Sequence, residues 1–189
     1  ILIETAYFVP VNRTYQRMEE RLAGGVRIRA LTNSLASNDV LVAHAGYAKH
    51  RPRLLESGVE LHELVARPDN LAPGAPGRML HTKTVVFDRR QVFIGTFNLD
   101  PRSAELNTEI GLLVDSPEIA AEVTAIIEQG MQPGQSWKVT LCRPDNSPLR
   151  CRKGQLLWLP NPRLHDPQST AWSRALAAVL SWLPLDPLL

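Results

Sequence analysis

The sequence predicts an α/β domain with a mixed sheet covered on its faces, and three observations carry that reading. Short apolar or alternating segments interleave with longer amphipathic ones over the first two-thirds of the chain, the order that lays helices over a sheet. Three strand-type segments then follow one another after a loop rich in Pro and Gly. The 189 residues, 44% of them hydrophobic, suffice to bury one full core.

Taken in order, Ile1 to Phe8 is apolar and strand-like, and its abrupt start reads as a cut through a longer protein. Asn12 to Leu22 is polar and helix-compatible, and Gly24-Gly25 ends it. Val26 to Leu31 alternates with period two, as a half-buried strand does. A second helix runs from about Asp39 to Glu56 and stops at Gly58, and Val59 to Val65 alternates again. Arg67 to Arg78 holds Pro68, Pro73, Gly74, Pro76 and Gly77 and reads as a loop. Strands are expected over Met79 to Asp88, Gln91 to Phe97 and Thr108 to Val114, then a helix from Pro117 to Gln129 with Pro in its first turn.

From Gly134 the composition shifts: all four tryptophans and seven prolines lie there. The division expected is a catalytic unit over residues 1–133 and an appendage over 134–189. The appendage has strand-like pieces at Trp137–Cys142 and Leu149–Leu159, and a helix from about Ser169 to Leu183. That helix aligns Trp172, Leu176, Val179 and Leu183 in one apolar stripe, expected to pack on the domain. The alternative is a stripe lying on a membrane surface. Cys142 and Cys151 flank the turn-like stretch from Arg143 to Pro148 and are positioned to face each other across a hairpin. The expectation is free thiols in a reducing compartment.

The chemistry concentrates in His81-Thr82-Lys83, with Asp88 five residues on, then Gly95-Thr96-Phe97-Asn98 and Asn107-Thr108-Glu109. On a strand, His81 and Lys83 project from one face, whereas Asp88 has opposite parity and suits a structural salt bridge near the strand end. An imidazole can attack phosphorus or protonate a leaving oxygen. Lys83 and Asn98 supply positive charge and N–H donors to non-bridging phosphate oxygens. Gly95 and Thr96 allow a backbone to approach phosphate closely. Glu109 suits accepting the second ring N–H of His81. His-x-Lys alone is a common triplet, and a strand histidine is ordinarily structural; the added spacing makes the pattern specific. No metal cluster and no cofactor is called for.

This His-x-Lys-x4-Asp-x6-Gly-Thr-x-Asn pattern resembles the HKD motif of the phospholipase D superfamily. The run from Asn98 to Ser103, continuing to Glu109, looks like the cardiolipin synthase branch. Leu31 to Ser37, His44 to Tyr47 and the Leu-Pro-Leu ending near Trp182 resemble the C-terminal half of bacterial cardiolipin synthase C-like proteins. The resemblance implies a phospholipase D-like α/β/α sandwich with a C-terminal β-hairpin and short helix. It implies a pseudo-symmetric site built from two HKD motifs, one histidine the nucleophile and the other, His81 here, the general acid. Lys83 and Asn98 would bind phosphate, with Thr96 keeping the hydroxyl of the commoner Ser. Asn33, Ser34 and Tyr47 would line a head-group pocket.

Only one HKD motif is present, because His44, His50, His62 and His165 lack a lysine two residues on. The expected partner is therefore an N-terminal HKD half or a second copy about a two-fold axis. The first function considered is phosphatidyl transfer, from a phospholipid donor to phosphatidylglycerol, at the cytoplasmic face of the bacterial inner membrane as a peripheral protein. The alternatives are a dimeric single-motif nuclease and an incomplete half that binds lipid or a partner. A net charge of +2 with a Trp-rich tail favours lipid over nucleic acid, and a continuous Lys/Arg groove over the site would reverse that preference.

Overall fold

In the computed structural model, which describes residues 1–70, 72, 74–143 and 150–183, thirteen elements follow one another. They are β1 (Leu2–Thr5), α1 (Asn12–Ala23), β2 (Arg29–Asn33), α2 (Leu41–Glu56), β3 (Glu60–Leu64), β4 (Lys83–Phe87) and β5 (Gln91–Gly95). After these come α3 (Pro101–Glu105), β6 (Gly111–Asp115), α4 (Pro117–Gly130), β7 (Ser136–Leu141), β8 (Leu156–Leu159) and α5 (Ala171–Ser181). All eight strands join one sheet in the order β6-β5-β4-β1-β2-β3-β7-β8. The central β1, β2 and β3 are parallel, and every pairing outside them is antiparallel.

Alternation along the strands divides the core in two. Ile3, Ala30, Leu61 and Val139 meet Tyr15 of α1 and Tyr47 and Leu54 of α2 on one face. Leu2, Leu31, Val86 and Val92 meet Ala120 and Ile127 of α4 on the other. This is the helix–sheet–helix layering expected. The central strands are buried on both faces, so β2 and β3 are almost wholly interior where half-buried strands were expected. Asp88 and Arg89 turn β4 into β5 with positive φ at both positions and a bond from Arg90 N–H to Phe87 C=O, the tight hairpin geometry matched to strand twist.

Residues from 134 onward continue the same sheet: β7 pairs with β3, and β8 pairs with β7. A buried polar cluster fastens them to the interior. Glu63 of β3, with no exposed surface, accepts hydrogen bonds from Tyr47 Oη (2.7 Å) and Trp158 Nε1 (2.8 Å). Arg51 Nε lies 2.7 Å from Glu63 Oε1, close enough for an ion pair though out of line for a hydrogen bond. Arg51 Nη2 also donates to Asp166 Oδ1 at 2.6 Å.

Two expectations are corrected here. Cys142 and Cys151, read as free thiols, are joined as a disulfide, because the β7–β8 hairpin brings their Cα atoms to 6.3 Å. The apolar stripe of α5 faces outward: Trp172 is 76% exposed, Val179 63% and Trp182 91%. The face turned to the protein is the one carrying the buried Ala177 and the half-buried Ser173, Arg174, Leu180 and Ser181. Arg174 holds that orientation by donating to Ser169 O and Oγ. Pro73, residues 144–149 of the expected turn and strand, and the Leu-Pro-Leu ending beyond Leu183 lie outside the described residues.

Candidate active site

The C-terminal ends of β1, β2 and β5 and the N-terminal ends of β4, β6 and α2 converge at one end of the sheet. Open α/β sheets bind ligands at the carboxyl ends of their parallel strands. Pairing sets Thr5 beside Lys83 and Gly95 beside Gly111, so Lys83, Thr96, Asn98 and Glu109 all arrive at this end. A cleft of about 560 Å³ opens there on the face of β4, β5 and β6 that no helix covers. Lys83 and Glu109 stand among its lining residues, with Phe87, Phe93, Phe97 and Leu113 as apolar floor, and Lys83 is the sole cation among its described lining residues.

Gly111 makes that floor possible, since a Cβ there would collide with the Phe93 ring. Gly95 is required for a similar reason: a Cβ would sit 2.5 Å from Ile110 O and 2.8 Å from Gly111 Cα. The close approach that Gly95 permits is thus to β6, whereas sequence reasoning assigned it to phosphate.

The Glu109 carboxylate accepts hydrogen bonds from Thr96 Oγ1 and, at 3.1 Å, from Asn107 Nδ2. Those donors, Thr96 first, hold its carboxyl below the usual range and keep it anionic. Partial burial lowers the Lys83 pKa, while Glu109, Asp100 and Asp39 act in the opposite sense. Lys83 Nζ donates to the backbone carbonyl of His81 at 2.7 Å. No hydrogen bond joins the His81 ring to a described residue, and the ring is exposed. Glu109 does not bond the His81 ring in this structure; its two oxygens accept from Thr96 and Asn107.

Asn98 is fixed by the short helix that follows it. Asp100 caps α3 by accepting from Ser103 N–H at 2.7 Å, Pro101 occupies the first turn, and Ser103 Oγ accepts Asn98 N–H at 3.2 Å. This leaves Asn98 Oδ1 buried without a hydrogen-bond partner. A half-turn of the carboxamide exchanges that oxygen for the Nδ2 donor at the same buried position. His81, Thr96 and Asn98 are not among the lining residues of the 560 Å³ cleft, and Asn98 instead borders a separate hollow of about 390 Å³, shared with Tyr7, Val40, Arg102 and Asn107.

The remaining predicted residues lie apart from the cleft. Asp88 sits exposed in the β4–β5 turn at the far end of β4, with no ion pair among the described residues. Asn33, Ser34 and Tyr47 are buried, at 1%, 1% and 2% exposure, and have no surface to offer a head group. Tyr47 is bonded to Glu63, and Ser34 is bonded to Ser37. These three were expected at the pocket from the resemblance of their segments, which carries no information about burial.

Sequence reasoning also passed over Tyr7, Asp39, Asp100 and Ser103. Burial, then the hydrogen bond to Asp39 Oδ1 (2.9 Å), raises the Tyr7 phenol to about 12, so it remains a donor. The pattern Asp100-Pro101-x-Ser103 was a legible helix-start signal. Tyr7 carried no signal beyond its type. Among the described residues, no group of three His, Cys, Asp or Glu side chains is placed to hold a metal ion.

Residues 1–131 match the family described as the PLD-like domain of cardiolipin synthase. The chain is 36% identical over 200 residues to cardiolipin synthase C of Escherichia coli (strain K12), an alignment covering 99% of this chain and 40% of that protein. It thus spans less than half the length of this curated relative. In fold it is similar to the phospholipase D family member Nuc from Salmonella typhimurium (TM-score 0.52, 16% identity, 72% of this chain and 78% of that one). It is likewise similar to phosphatidylserine synthase from Haemophilus influenzae Rd KW20 (TM-score 0.53, 23% identity, 72% of this chain and 33% of that one).

Proposed function

The chain belongs to the cardiolipin synthase, PLD-like domain family, and from that premise we propose that it supplies the second HKD half of a phosphatidyl-transfer site that forms cardiolipin. In this reading the histidine of the other half attacks phosphorus of the donor phospholipid. A P–N bond forms, the P–O bond to the leaving head-group alcohol breaks, and the His81 imidazolium gives its proton to the leaving oxygen. His81, now neutral, takes the proton of a phosphatidylglycerol hydroxyl as that oxygen attacks phosphorus and the P–N bond breaks. Lys83 and the Asn98 carboxamide N–H donors bind the non-bridging oxygens. Glu109 holds Thr96 and Asn107 and adds negative potential beside Lys83.

The observation that carries this reading is the cleft itself, a Phe- and Leu-floored surface with Lys83 and Glu109 among its lining residues. Such a lining suits an acyl-bearing phosphate diester better than DNA, which calls for a run of cations. Ile110 and Leu113 of the cleft lining are each more than 60% exposed, an apolar surface suited to cover by a second half. That half is an N-terminal HKD unit of the same polypeptide or a second copy of this chain. The outward stripe of α5, with Trp172 and Trp182 at its ends and no acidic residue along it, suits a peripheral seat on the cytoplasmic face of the inner membrane. No helix of the described residues is long and apolar enough to cross a membrane.

The test incubates the protein in its natural full length with labelled phosphatidylglycerol and a second phospholipid. The expected result is labelled cardiolipin, lost in His81→Ala. Cleavage of DNA with no lipid product would sink the proposal.

A further inference from the structure

We infer that Asn33 is a positioning residue for His81, a side chain acting as the missing strand neighbour of the segment that carries the imidazole. The inference rests on the reading of His81 as an acid–base group. The β1–β4 ladder ends with Thr5 beside Lys83, extended one step by Ala6 N–H donating to Thr82 C=O at 3.1 Å. His81 and Leu80 thus lie beyond the regular ladder, in extended but unclassified backbone.

Asn33, the last residue of β2, takes over at that point. Its Nδ2 donates to Leu80 C=O at 2.9 Å, and its Oδ1 accepts Leu80 N–H at 2.9 Å. One carboxamide therefore meets both polar groups of a single residue, as a neighbouring strand does at a hydrogen-bonded pair. The second Nδ2 proton goes to Ala6 C=O at 3.2 Å, and Ser37 Oγ donates to Oδ1 at 3.2 Å. A carboxamide has two donors and two acceptor lone pairs, and all four are in use.

This saturation fixes the amide plane and excludes substrate from it. His81 is bracketed by two backbone anchors, Leu80 through Asn33 and Thr82 through Ala6, while its ring stays exposed for reaction. Alanine at position 33 would release Leu80 and let the imidazole wander, and misplacement by ~1 Å lowers turnover by about a hundredfold.

The test compares Asn33→Ala with wild type in the natural full-length protein, using bis(p-nitrophenyl) phosphate as a plain phosphodiester. In the variant, kcat should fall by roughly 30- to 100-fold while KM stays within about threefold. The Leu80 amide should exchange hydrogen about a hundredfold faster. A kcat within about threefold of wild type beside faster Leu80 exchange would make Asn33 structural only and overturn the inference. Unchanged Leu80 exchange would overturn the clamp itself.

Should Asn33→Ala fail to fold, Ser37→Ala removes one anchor of the carboxamide; a drop in kcat of about three- to tenfold supports the inference and no drop overturns it. The nitrogen resonances of the His81 imidazole give a reading without substrate: broadening in either variant supports the inference, and unchanged lines overturn it. A wild type that cleaves the diester through His81 yet makes no cardiolipin refutes the lipid reading alone.

Discussion

Glu63→Gln removes the anion at the centre of the polar cluster that ties β3, α2 and β8 together. The carboxylate is wholly buried, with Arg51 Nε at 2.7 Å, Tyr47 Oη at 2.7 Å and Trp158 Nε1 at 2.8 Å. Glutamine keeps the volume but turns one oxygen into a donor, which must then face one of three existing donors. Arg51, itself buried, keeps Asp166 at 2.6 Å and its approaches to the Tyr47 and Trp158 rings, but loses its central counter-charge. Removing one partner of a buried ion pair destabilises by about 3–5 kcal/mol. For a domain of this length each kcal/mol moves Tm by about 2–4 °C, so a fall of roughly 6–20 °C is expected in a melt followed by circular dichroism. The Trp158 indole N–H should lose its protection against hydrogen exchange at the same time. A Tm change under about 3 °C, with the indole still protected, would refute the idea that this cluster fastens the C-terminal strands.

Gly111→Ala should push the Phe93 ring off the cleft floor, costing about 1–3 kcal/mol as overpacking and lowering lipid turnover; Phe93→Leu on the same background should restore part of both, read in a double-mutant cycle. Stability should fall with acidification in two stages, followed as Tm against pH. Burial lowers the pKa of His44 and His62 from 6.5, so below that pH the unfolded chain takes up protons that the folded one refuses, and stability drops. At Glu60, burial works upward, but the His62 hydrogen bond with Lys138 and Arg29 brings the carboxyl from 4.5 down to about 2, so its contribution is present above 4.5 and fades as pH falls towards 2. Glu60→Gln should flatten that lower leg; a Tm constant from neutrality to 4.5 would contradict the histidine stage, and one constant from 4.5 to 2 would contradict the Glu60 stage. Vesicles carrying brominated acyl chains should quench roughly half of the tryptophan emission, from Trp172 and Trp182, and Trp172→Ser with Trp182→Ser should abolish this; quenching that survives the double change places the lipid contact elsewhere.

Much of the architecture was readable because burial and period leave plain marks. The order of elements, α3 excepted, and the Gly24-Gly25 and Gly58 helix ends follow from local chemistry. The spacing from His81 to Asn98 likewise brought the HKD residues forward. What sequence could not supply was direction and partnership. Periodicity gathers Trp172, Leu176, Val179 and Leu183 on one side of α5 but says nothing about which way that side looks; Ala177 and the tether of Arg174 to Ser169 decide it. Nor does alternation distinguish an asparagine at a pocket from one saturated by backbone, as Asn33 is. Glu109 was found by its spacing, yet its hydrogen-bond partners, Thr96 and Asn107, depend on how β5 and β6 register.

The strand order also prescribes a sequence of assembly. Within this segment the first three strands form the parallel centre of the sheet; the next three extend it past β1, and the last two extend it past β3. Each newly emerged strand meets an edge already laid down, so none has to be inserted between finished neighbours. The segment can therefore consolidate as it lengthens, with closure at the α1 and α2 crossovers and at two returns, from β3 back to β1 and from β6 across to β3. The flank carrying the candidate site and the Trp158 flank grow on opposite margins of a common nucleus. A defect in the later one, such as loss of the β7–β8 hairpin, arises after the chemistry-bearing strands have already found their places.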